Sequence, residues 1–87
     1  MTWEDVKKAY PNQWLVIEAI EAHTEESDRI LDNIIVVDTF YDDNNKALLE
    51  YVKLHRKDRT RELYVVHTLR KELNIVEKKL VGVRADL

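Results

Sequence analysis

The 87-residue sequence predicts an α+β fold: a single domain over 1–87 in the order α-β-β-α-β-β. A four-stranded, mainly antiparallel sheet is expected to pack on one main helix, with a short helix at the N-terminus. Three observations carry this expectation. Two long β-branched runs sit close together, at 14–22 and 29–41. One segment, 46–57, has helical apolar spacing. Pro11 ends the first helical pattern before it can lengthen.

Thr2-Trp3-Glu4-Asp5 fits a capping box, in which the Thr2 hydroxyl meets orphan amides and Asp5 reaches back. Acids in the first turn and Lys7-Lys8 in the last suit the helix dipole. The helix should cover about 3–9. A helix that short is marginal alone, so Trp3 and Val6 must dock on something. Trp14 to Ala22 is aromatic and β-branched at its start, hence a strand. His23 to Asp28 is polar and predicts the loop. Arg29 to Tyr41, centred on Ile34-Ile35-Val36-Val37, predicts the second strand, paired with the first as a hairpin.

Asp42-Asp43-Asn44-Asn45 is a helix-start signal. From Lys46 to Lys57, Leu48, Tyr51, Val52 and His55 share one side, widened by Ala47 and Leu54. Arg61 to Thr68 predicts a third strand. Leu73 to Arg84 predicts a fourth, joined to it through 69–72. The expected core includes Trp14, Ile35, Val37, Leu48, Tyr51 and Val65. Strands apolar on both faces need a second cover besides helix 46–57. Helix 3–9, the chain ends or a second copy of the protein would supply it.

Composition narrows the chemistry. Ile, Leu and Val supply 26 residues, too many for a disordered chain. The absence of Cys removes disulfides, thiolate metal sites and cysteine nucleophiles. One Gly removes glycine-rich phosphate loops. No apolar run approaches the ~20 residues that span a bilayer. The acidic start, Met-Thr-Trp-Glu-Asp, lacks the layout of a signal peptide, so no membrane association and a cytoplasmic setting are expected. Net charge is −3, but it is divided: residues 1–45 carry 11 acids and 3 bases, residues 46–87 carry 6 acids and 11 bases. Such a split either favours self-association or is neutralised inside one monomer, and the second is the simpler expectation.

The candidate chemical groups are few. His23, His55 and His67 lack the spacing of a helical metal site, so no metal is expected. His23 is expected in the loop and His55 as a C-terminal helix cation. His67, near a strand end, is expected to be half-buried and bonded to backbone. Ser27, the only serine, lies among carboxylates that disfavour an alkoxide. Glu18 shares a strand face with Trp14, Val16 and Ile20, while Glu21, three residues on, takes the other face. A carboxylate so placed either has a raised pKa or pairs with a base from a neighbouring strand. Asp38, Asp42, Asp43 and Asn44 lack the order, Gly and closing Glu of a calcium loop. The strongest positive signal is basic: Lys53, Arg56, Lys57, Arg59 and Arg61 could form a phosphate-binding rim. Against that stand the negative total charge, the interruptions by Asp58 and Glu62, and the lack of interleaved aromatic residues.

Tyr10-Pro11-x-x-Trp14, followed by Leu15-Val16-Ile17-Glu18-Ala19, resembles the strand entry of a group of small uncharacterised bacterial proteins. Arg61 to Thr68 resembles a later strand of the same group. The resemblance spans roughly 3–84 in layout and implies a β-β-α-β unit and a bacterial cytosolic setting. It implies no activity. The function expected is therefore a non-enzymatic protein-binding module without cofactor, binding an unidentified protein partner or its own copy as a homodimer. A nucleic-acid accessory role for the 53–61 rim ranks second. An enzyme using Glu18 and His67 ranks third.

Overall fold

The computed structural model describes residues 1–76. The elements are α1 (Trp3–Ala9), β1 (Trp14–Glu25), β2 (Asp28–Thr39), α2 (Asn44–Lys57), β3 (Leu63–His67) and β4 (Ile75–Val76). They form an α+β fold with an antiparallel sheet in the order β3-β1-β2-β4. The part of the fourth expected strand from 77 to 84 lies outside the described residues.

α1 forms as the sequence expects. Asp5 N–H donates to Thr2 Oγ1 at 3.2 Å, and Thr2 N–H donates to Asp5 Oδ2 at 3.0 Å. The Thr2 amide and hydroxyl hold the Asp5 carboxyl below the usual carboxylate range. The helix ends at Tyr10, whose N–H still reaches the Val6 carbonyl. Asn12 then adopts φ 52°, a left-handed conformation that Asn tolerates well.

The expected loop at 23–28 is mostly strand. Thr24 pairs with Arg29 and Glu25 with Asp28, which leaves only Glu26 and Ser27 in the turn. A two-residue hairpin turn needs positive φ at its first position to match strand twist. Glu26 supplies it at φ 57°. Polarity misleads there because both faces of the hairpin tip meet water. Bulges at Val37, Ile20 and Asp32 interrupt the β1–β2 register and add twist.

Each sheet face has its own cover. On one, Val6 of α1 packs with Leu15, Ile17, Ile34 and Val66, joined by Trp3 and Tyr10. Val6 is fully buried. Burying a Val side chain contributes roughly 1.5–3 kcal/mol, enough to dock this otherwise marginal helix. Trp3 Nε1 donates to the Arg70 carbonyl at 3.1 Å, and Lys7 Nζ donates to that of Lys71 at 2.8 Å. The second cover required by doubly apolar strands is thus α1.

On the other face, α2 packs over Val16 and Leu63. Asp43 caps this helix through Lys46 N–H. Ala47, Tyr51 and Leu54 form its contact stripe. Ala47 is fully buried, whereas Leu48 is 45% exposed. The helix axis therefore lies closest to the sheet at the smallest apolar residue. That rotates Leu48 and Val52 away from the seam. Of the six expected core residues, Trp14, Val37, Tyr51 and Val65 pack around this cluster half-buried. Ile35 and Leu48 are exposed instead. α2 sits over β1 and β3, so Ile35 on β2 falls beyond its reach.

Candidate functional site: an open strand edge beside an apolar helix strip

The expected site residues separate in space. Glu18, on the α2 face of β1, is gripped by Arg61: Nη2 donates to Oε1 at 2.7 Å and Nε to Oε2 at 3.2 Å. The pair is bidentate, and the Glu18 carboxylate raises the Arg61 pKa. Arg61 is thus bonded to a carboxylate of β1, unlike the other four cations of the expected phosphate-binding rim. Lys53, Arg56, Lys57 and Arg59 remain exposed along the end of α2 and the turn after it, without an acidic partner among the described residues.

The histidines have different neighbours. His67 meets Trp14 edge-on, with ring centroids 5.0 Å apart, and its Nδ1 accepts the Leu69 N–H at 3.1 Å. This half-buried, backbone-bonded role is the one its strand position suggested. His55 stacks on Tyr51 at 5.7 Å. His23 lies in β1, not in a loop. Its Nδ1 is 2.6 Å from Asp32 and its Nε2 is 2.9 Å from Glu25. Asp32, then Glu25, raise its pKa by bonding the imidazolium. Among the described residues no group of three or more His, Asp or Glu side chains could hold a metal ion. No described helix is long and apolar enough to cross a membrane.

One cluster was missed by sequence reasoning. On the α1 face, Arg29 binds Glu62 through two bonds of 2.7 and 2.9 Å, and Tyr64 O–H donates to Glu62 at 2.6 Å. Arg29 first, then Tyr64, hold the Glu62 carboxyl below its ordinary value. Burial, then the bond to Glu62, push the Tyr64 hydroxyl well above its own. The signal was available: Glu62 and Tyr64 are two apart on a strand and must share a face. With Glu18–Arg61 on the opposite face, these groups are satisfied as ion pairs that tie strands together. A cleft of about 390 Å³ opens beside Arg29, Glu62 and Tyr64, lined also by Ile75 and Val76.

Among the described residues, unpaired strand backbone lies along β2 beyond its short pairing with β4 and along the outer side of β3. β3 has β1 on one side and no strand on the other among the described residues. Glu62 C=O accepts from Ala19 N–H, and Thr68 N–H donates to Gln13 C=O. Antiparallel alternation then directs the amides of 62, 64, 66 and 68 inward toward β1. Those of Leu63, Val65 and His67 point outward. The His67 carbonyl already accepts from Arg70 N–H. Among the described residues, nothing bonds the outward groups of Leu63, itself only 6% exposed, or of half-buried Val65. Thr68, buried, pins the strand: Gln13 N–H donates to its hydroxyl at 2.9 Å.

Beside this edge runs an apolar cleft of about 250 Å³ lined by Leu48, Tyr51, Leu63, Tyr64 and Val65. Leu48 and Val52, one turn apart on α2, are 45% and 41% exposed. A larger cleft of about 330 Å³, between the start of α1 and the 71–75 segment, mixes Glu4, Asp28 and Glu72 with Arg29 and Lys71. Charges of both signs there define no ligand.

No family model, curated protein or solved structure matches the chain.

Proposed function

We propose that the protein is a non-enzymatic protein-binding module that takes an extended segment of another polypeptide against β3. The observation that supports this most directly is the pair of outward backbone positions, Leu63 and Val65, beside an apolar cleft. Strand addition uses these two features together: main-chain bonds supply affinity, and a pocket for alternate side chains supplies specificity. The ion-paired state of Glu18 and the separate neighbours of the histidines favour binding over catalysis. The resemblance of the Tyr10-Pro11-x-x-Trp14 segment to small bacterial proteins extends the proposal to a bacterial cytoplasmic setting.

Panning a random peptide library tests this. Selected peptides should alternate apolar and polar residues, and binding should be lost in Val65→Pro, which deletes an outward N–H without touching the β1–β3 bonds. Binders indifferent to Val65→Pro, or none at all, would contradict the proposal.

A further inference from the structure

We infer that the segment taken up by β3 is the β3 of a second copy of this chain, so that two sheets join edge to edge about a twofold axis. This rests on the protein-binding proposal and commits it to one partner. Two features argue for it.

The first is backbone self-complementarity. In an antiparallel pairing centred on Tyr64, Leu63 lies opposite Val65 of the second copy. Each residue of that pair exchanges N–H and C=O with the other. These are the two β3 residues whose outward groups are both unbonded among the described residues. The cleft at the centre of this pairing is flanked by Leu63 and Val65, so each copy supplies apolar side chains to the other's cleft.

The second is charge complementarity. A twofold axis normal to the sheet reverses every direction lying in the sheet plane. α2 rides on that plane over β1 and β3, so it must run antiparallel to the α2 of the second copy. Leu48 and Val52 then meet their counterparts near the axis. The acidic start of α2, Asp42 and Asp43, faces the basic end, Lys53, Arg56 and Lys57, of the other helix. That contact sets two acids of the acidic half of the chain against three bases of the basic half. Lys53, Arg56 and Lys57, which have no acidic partner among the described residues, gain a use.

Light scattering on the full chain, over about 1 μM to about 1 mM, tests the inference. Wild type should pass from one chain mass to two, with a Kd on the order of micromolar. Val65→Pro and Leu48→Glu should each raise that Kd about 100-fold or more while far-UV circular dichroism is unchanged. Leu48 is exposed on its own helix, so Leu48→Glu decides the matter should Val65→Pro unfold. A single-chain mass throughout would overturn the inference. So would a dimer that Leu48→Glu leaves intact, or a mass that climbs past two chains. A monomer whose panned peptides still depend on Val65 would overturn the second copy alone. A monomer without such peptides would overturn the protein-binding proposal as well.

Discussion

Glu26 occupies the most revealing backbone position. A non-glycine residue held at positive φ costs on the order of 1 kcal/mol, more than Asn would. Glu26→Asn should therefore raise stability by about 0.5–1 kcal/mol, read as a higher urea midpoint at unchanged slope. No gain would mean that the turn does not require that conformation. A few residues away, His23 makes a pH prediction. Its folded pKa is raised above 6.5 by Asp32 and Glu25. Protons therefore bind the folded chain more tightly. The stabilisation is fully present below 6.5 and is lost as pH rises through the raised value. Wild type should lose midpoint on that rise, and His23→Gln should not. Parallel profiles for the two would contradict the assignment. Because His23 is solvent-exposed, salt should weaken the difference. None of this was legible beforehand. A polar run at a hairpin tip has the same composition as a loop, and the hydrogen-bond register that separates them is not written in residue types.

At the scale of elements, α1 and the helix–strand pattern were readable because their signals are local. A capping box, a proline stop and β-branched runs each act within a few residues. Thr2→Ala should cost about 1 kcal/mol by loss of the cap. Val6→Ala should cost about 1–3 kcal/mol, since its site is fully buried between α1 and the sheet. If thermal melts of Val6→Ala matched wild type, α1 would not be docked as described. The face of α2 was less readable. Leu48, Tyr51, Val52 and His55 make a plausible stripe, yet Ala47, Tyr51 and Leu54 make the contact. Helical spacing allows both choices. Only the presence of Leu63 and Val65 beneath the helix, from a strand later in the chain, favours the small residue at the closest approach. Similarly, Arg61 reads as part of a basic run until β3 brings it beside Glu18. The remaining cations should not act as a nucleic-acid site. A mobility-shift assay at about 50 mM salt should show no binding by wild type. A shift that disappears when Arg56 and Arg59 become Ala would reverse that expectation.

For the molecule as a whole, two sheet edges lack a full strand neighbour among the described residues: β2 beyond Arg29, and β3, which alone has the apolar cleft and Leu48 beside it. The sequence indicated excess apolar surface on the faces of the strands, and α1 and α2 cover much of both faces. Ile20 on β1 and Ile35 on β2 stay exposed, as do Leu48 and Val52 on α2. The unpaired edge of β3 is a further feature that residue types alone do not mark. Ion pairs across the sheet, Glu18–Arg61 and Arg29–Glu62, fix the position of β3 without occupying its outward side. The most direct test compares amide exchange along β3 as protein concentration rises. Tyr64 and Val66, bonded to β1, should be protected at every concentration. Leu63 and Val65 should exchange rapidly in dilute solution and become protected as the mass doubles. A doubled mass with Leu63 and Val65 still exchanging rapidly would contradict edge pairing and move the contact elsewhere on the molecule.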